Sequence, residues 1–205
     1  LWQTNIRRLM AYSSIAHAGY MLIGVAVAFA FHEGSSSASG GVSATLFYLL
    51  VYVCASLGTF ATLIVLGSTE HEISGVDELA GLARQRPFLA AIMAVFMFSL
   101  AGIPPLAGFW GKLALFSSAV NTATAASDNE SFAWWFSVLA VGGALNAAIA
   151  AAYYLRIVAR MYFRPVQTEI PVNGGIGASA AMVLCVALVL GLGLYPRSAG
   201  RATPF

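Results

Sequence analysis

Ser99-Leu100-Ala101-Gly102-Ile103-Pro104-Pro105-Leu106-Ala107-Gly108-Phe109-Trp110-Gly111-Lys112 is the stretch on which the architecture turns. It lies in a longer apolar segment, residues 87–121, whose one charge is Lys112. As a single α-helix that segment would run roughly 50 Å at about 1.5 Å per residue. That is too long for one upright crossing of a hydrocarbon core about 30 Å thick, and too short for two crossings with a turn. Pro104 and Pro105 sit near its centre. Each lacks a backbone N–H and clashes with the preceding turn. The spacing predicts two half-helices in one crossing, with a break between Ala101 and Leu106. Pro105 should stand at or near the start of the second half, a position that suits proline's fixed φ.

The rest of the chain reads the same way. Apolar residues make up 60% and charged residues 9%, and mean hydropathy is +0.82. Soluble domains carry about 25% charged residues. Residues 11–30, 34–69, 134–155 and 170–196 contain no Asp, Glu, Lys or Arg. Each run can hold a helix of about 20 residues, enough to cross a bilayer. The predicted class is all-α: a polytopic transmembrane helix bundle of about five crossings. Helices are expected over 8–31, 42–67, 132–163 and 176–195, with the broken helix third in order. A Ser/Gly linker is expected over 34–41. A solvated connection over 68–86, with a short surface helix, follows from Glu70, Glu72, Asp77 and Glu78.

The arginines suggest an orientation. With a single broken crossing, Arg7, Arg8, Arg84, Arg86, Arg156, Arg160 and Arg164 share one side, leaving Arg197 and Arg201 opposite. The positive-inside rule favours that split over the more even one that two crossings would give. Residues 68–86 and 156–173 are then cytoplasmic, and 34–41, 121–131 and the C-terminus lie on the other side. The net charge of +2 is too small to suggest a nucleic-acid partner. Cys54 and Cys185, alone in separate apolar runs, read as small core residues. No phosphate loop, cysteine cluster or histidine-rich ligand set appears, so no redox cofactor or metal is expected in this chain.

Lys112 is the sharpest candidate for chemistry. It is the chain's one lysine. Counted back from Asn121 it lies about 14 Å deep. An amine there is costly to insert, about 2.5–3.5 kcal/mol, and burial disfavours the charged form of any amine. Such a lysine can take and give a proton. Broken helices at mid-membrane also mark ion sites, which makes Gly102, Pro104 and Pro105 part of the candidate site. Snorkelling to the interface is the plain alternative. Thr45, Tyr48, Tyr52, Ser56 and Thr59 recur at helical spacing, a polar stripe that either lines a hydrated path or bonds a neighbouring helix. Ser13, His17 and Tyr20 share another face, with His17 a proton relay or a hydrogen-bonded structural residue. Arg7 is a site candidate or a membrane anchor. Asn146, in line with Tyr153 and Arg160, is a polar-path candidate or packing glue.

Three stretches carry a family resemblance. They are Gln3-Thr4-Asn5-Ile6-Arg7-Arg8-Leu9-Met10-Ala11-Tyr12-Ser13-Ser14-Ile15-Ala16-His17-Ala18-Gly19-Tyr20, the Ser99–Lys112 run, and Tyr153-Tyr154-Leu155-Arg156. Together they resemble the antiporter-like, proton-translocating subunits of respiratory complex I (NADH:quinone oxidoreductase), with wording nearest to the subunit-N branch. The resemblance implies a fourteen-helix fold of two inverted repeats. The chain, which begins Leu1-Trp2-Gln3, would be its C-terminal part, residues 1–205 forming one partial membrane domain. It implies Lys112 as the lysine of the second broken helix. Arg7 falls where relatives often have a lysine, and its guanidinium does not readily deprotonate. Ser56 falls about where the L and M relatives carry a lysine.

The implied function is to couple electron transfer from NADH to quinone with proton translocation, relayed through Lys112 and waters. The implied partners are the other membrane subunits and the lipid bilayer of the inner (plasma) membrane. NADH, FMN, iron–sulfur clusters and quinone would be held elsewhere in the complex. No intramembrane acid in this chain is available to pair with Lys112. Two alternatives stand beside this: a subunit of a cation/proton antiporter or membrane-bound hydrogenase, or a truncated structural piece that moves no protons.

Overall fold

A computed structural model describes residues 3–30, 36–67, 72–126, 129–167 and 175–194. They form seven α-helices: α1 (Ile6–Ala30), α2 (Ser36–Leu66), α3 (Leu82–Gln85), α4 (Pro87–Ala101), α5 (Ala107–Ala125), α6 (Glu130–Phe163) and α7 (Ile176–Leu194). A 3-10 turn, Asp77–Leu79, precedes α3. Of these, α1, α6 and α7, together with Gly40–Leu66 of α2, are long and apolar enough to cross a membrane. The apolar helix α4 is shorter. The chain is a multi-pass membrane bundle.

Local chemistry sets the helix ends. Asn5 caps α1, its Oδ1 accepting from Arg8 N at 3.1 Å, and Asn129 caps α6, accepting from Phe132 N at 3.2 Å. Such caps contribute about 1 kcal/mol each. Pro87 opens α4 at a position where its missing N–H is not needed. Gly102, at φ 85°, closes it. Residues 102–106 are not helical, and α5 resumes at Ala107. Pro105 stands two residues ahead of that start, outside the second helix.

Two expectations need correction. Residues 36–41, expected to be linker, belong to α2. The reason is contact: a Cβ on Gly41 would lie 2.7 Å from Gly24 O and 2.8 Å from Ala28 N, so α1 and α2 approach backbone to backbone there. The remainder of the expected linker, residues 34–35, lies outside the described residues. The connection after α2 is also less solvated than its acids suggested. Ile73, Val76, Leu79 and Leu82 are buried, and Ile6 N and Val76 N bond Ser74 O and Thr4 O, each at 2.8 Å. Glu72 and Asp77 stay exposed while every third residue, from Ile73 to Leu82, plugs the end of the bundle.

The main core joins the ends of α2 and α6 to α4 through Leu66, Leu79, Leu82, Met93, Phe96, Met97, Tyr154, Ile157 and Met161. Helix α4 is buried nearly all round, as expected of a helix apolar on every face. Both cysteines, Cys54 and Cys185, are buried in this core. In contrast, α6 turns Trp134, Trp135, Leu145 and Ile149 outward. Arg7 pairs with Glu72, and Arg160 with Asp77. The start of α1, the connector and the end of α6 therefore meet at one end.

Candidate functional site

Two polar pockets share the interior. The first is made by the break. Ile103 N bonds Phe98 O and Gly102 N bonds Ser99 O, each at 3.0 Å, the paired pattern of a glycine-terminated helix. That leaves the carbonyls of Leu100 and Ala101. In an unbroken helix their donors would be the N–H groups four residues on, which belong to Pro104 and Pro105 and do not exist. Lys112 Nζ supplies what the prolines lack, donating to Leu100 O at 2.9 Å and Ala101 O at 3.0 Å. Lys112 is 5% exposed. A cation here also meets the negative end of the α4 dipole, equivalent to roughly half a charge. No carboxylate pairs with Lys112 among the described residues.

Glycines make the pocket possible. A Cβ on Gly102 would lie 3.0 Å from Lys112 Cδ. One on Gly108 would overlap the Ser99 carbonyl oxygen, and Gly108 N instead bonds Ser99 Oγ at 3.2 Å. One on Gly193 would lie 2.6 Å from Pro105 O, so α7 lies directly on the break. Trp110 Nε1 fastens that contact by donating to Gly193 O at 3.0 Å.

The second pocket centres on His17, which is buried. Its Nδ1 is 2.6 Å from Tyr48 Oη and its Nε2 is 2.8 Å from Tyr154 Oη. Ser13 Oγ bonds Tyr154 Oη. Tyr52 stacks on the imidazole with centroids 4.6 Å apart. Helices α1, α2 and α6 each contribute.

Tyr20 lies between the pockets. Its ring meets His17 edge-on at 5.7 Å, and Lys112 Nζ is 5.4 Å from its centroid. Its hydroxyl accepts from Asn146 Nδ2 at 3.0 Å. No hydrogen bond joins the His17 cluster to Lys112 directly among the described residues.

The structure thus gathers His17, Tyr48, Tyr52 and Lys112, with Asn146 reached through Tyr20. It sets two candidates apart. Arg7 lies ten residues before His17 on α1, about 15 Å along the axis. It pairs with Glu72 at 2.6 Å, their side chains 52% and 70% exposed. Ser56 Oγ is buried without a hydrogen-bond partner among the described residues. Elsewhere on the α2 stripe, Thr45 and Thr59 bond their own helix at Gly41 O and Ala55 O. Sequence reasoning missed Tyr154 as a participant. The signal was a phenol set among Ala147, Ala150, Ile157 and Met161, whose spacing marks one buried face of α6.

A family profile described as "NADH:quinone oxidoreductase/Mrp antiporter, TM" matches residues 1–141. The chain is 46% identical over 161 residues to NADH-quinone oxidoreductase subunit N of Rhodospirillum rubrum, covering 78% of this chain and 29% of that protein. It is 41% identical over 199 residues to subunit N 2 of Roseiflexus castenholzii, covering 97% and 37%. It therefore spans about a third of the length of these curated relatives. A chain of respiratory complex I from Thermus thermophilus with bound aureothin superposes with a TM-score of 0.68 at 36% identity, covering 95% of this chain and 39% of that one. A chain of an archaeal membrane-bound sulfane sulfur reductase shares the fold, with a TM-score of 0.70 at 24% identity over 98% of this chain and 37% of that one. With the profile spanning well over half its length and the subunit-N relatives aligned through the broken-helix lysine region, the chain belongs to the NADH:quinone oxidoreductase/Mrp antiporter transmembrane family.

Proposed function

We propose that this chain is the C-terminal part of a subunit-N-type membrane subunit of NADH:quinone oxidoreductase, and that Lys112 is its proton-transfer residue. One observation carries the reading. A buried lysine with no acidic partner among the described residues is held by main-chain carbonyls at a helix break. Carbonyls stabilise the ammonium but cannot accept its proton, so a proton that leaves Lys112 must leave through water or another side chain. The His17 cluster is the neighbouring set of groups that both donate and accept. With Tyr20 standing between, a step from one pocket to the other runs through water.

On this reading the partners are the other membrane subunits and lipid, in the bacterial plasma membrane. NADH, flavin, iron–sulfur clusters and quinone belong to other subunits. The arginine-bearing end of the bundle faces the cytoplasm and the C-terminus faces away, by the positive-inside rule.

The test is proton export per NADH oxidised, in vesicles with assembly verified. Lys112→Ala is expected to reduce export strongly. Lys112→Arg also impairs it, because guanidinium stays protonated and its planar fork fits two adjacent carbonyls differently. Wild-type export by Lys112→Ala would remove the proposal.

A further inference from the structure

We infer that Tyr20 is a positioning residue for the Lys112 ammonium, holding it through the face of the ring. The inference rests on the reading of Lys112 as the proton-transfer residue. An ammonium has three N–H donors. Two are directed at Leu100 O and Ala101 O. Nζ also lies over the ring of Tyr20, 5.4 Å from its centroid. Within about 6 Å the negative face of an aromatic ring attracts a cation, and the attraction grows when water is excluded. Tyr20 is 2% exposed and Lys112 is 5% exposed.

The ring is held by contacts from three other helices. Asn146 donates to its hydroxyl from α6. Phe116 of α5 meets it edge-on at 5.9 Å, and Tyr48 of α2 does so at 6.3 Å. Four helices thus fix one ring plane against one amine. The phenol oxygen is engaged by the Asn146 amide, so what Tyr20 presents to Lys112 is a π face, a surface that holds charge and passes no proton.

The test replaces Tyr20 in the whole complex with phenylalanine carrying zero, one, two or three ring fluorines, introduced at a nonsense codon. Fluorine withdraws electron density from the face and leaves the ring shape nearly unchanged. Tyr20→Phe is expected to keep most of the export per NADH. Export should then fall stepwise with fluorine count, by several-fold at the third, and Tyr20→Leu should match the lowest of the series. A flat fluorine series, or Tyr20→Leu exporting as well as Tyr20→Phe, would show a ring that only fills space and would overturn the inference. If Tyr20→Leu does not assemble, the fluorinated rings decide alone. Lys112→Ala run in parallel separates the two claims. Retained export there overturns the reading of Lys112 itself, whereas lost export with a flat fluorine series overturns only the role of Tyr20.

Discussion

The two polar pockets solve the same problem with opposite materials. Around His17 the partners are side-chain hydroxyls and an imidazole, each able to donate and accept. Around Lys112 the partners are main-chain carbonyls that only accept. The first can pass a proton onward while staying neutral. The second can hold a charge and has nowhere of its own to send a proton. The difference shows how an apolar bundle holds a cation with no carboxylate beside it among the described residues: it opens a helix and uses the exposed end.

The comparison can be broken most severely at Gly108. Gly108→Val would drive a side chain into the Ser99 carbonyl where α5 crosses the break. The expected cost is about 3 kcal/mol or more, seen as loss of assembled subunit from membranes, with the Lys112 pocket failing first. A Gly108→Val subunit that accumulates normally would mean the break tolerates rearrangement.

Tyr154→Phe strikes the other pocket alone. It leaves His17 Nε2 and the Ser13 hydroxyl without their shared partner, at about 1–3 kcal/mol. Thermal inactivation in detergent should move to lower temperature, while the Lys112 carbonyl bonds are untouched. An unchanged midpoint would place replacement partners around His17.

A smaller effect is expected of Gly102→Ala. Its φ of 85° is unfavourable to any side chain, by about 1–2 kcal/mol, and the new methyl presses on the Lys112 stem. Combined with Lys112→Ala the steric part disappears, so the double variant should be less destabilised than the sum of the two changes. Strict additivity in a thermal-shift series would show that Gly102 acts on the backbone alone.

Least of all is expected of Arg7→Ala. The pair with Glu72 is largely exposed, contributes at most about 1 kcal/mol, and is screened by salt. Export should be nearly unchanged, and any stability difference from wild type should vanish in high salt. Strong loss of export at every salt concentration would bring Arg7 into the site.

Much of this was legible from residue order alone. Because bilayer thickness and helix rise leave little freedom, long uncharged runs placed the ends of α1, α6 and α7 to within two residues, though they missed the start of α2 by six. The break was legible because Pro104 and Pro105 cannot donate. The partners of Lys112 were legible in principle, since four residues before each proline stands a carbonyl that needs a donor. The connector was misread because every third residue there is buried, and a count of acids hides an apolar plug of Val76, Leu79 and Leu82. The α1–α2 contact at Gly24 and Gly41 was hidden for the converse reason. Glycine next to serine looks like a loop until a neighbouring helix needs the room. The convergence on His17 could not be read, because it requires α1, α2 and α6 to meet.

One consequence of the His17 cluster concerns direction. A neutral imidazole carries a single proton, so one ring nitrogen donates and the other accepts. With the proton on Nδ1, His17 donates to Tyr48, Tyr154 donates to Nε2, and Ser13 donates to Tyr154. With the proton on Nε2, His17 donates to Tyr154, Tyr154 donates to Ser13, and Tyr48 donates to Nδ1. Moving one proton from nitrogen to nitrogen reverses every bond in the row. The row can thus be set in either of two polarities with no net charge in either, and its bonds join α1, α2 and α6.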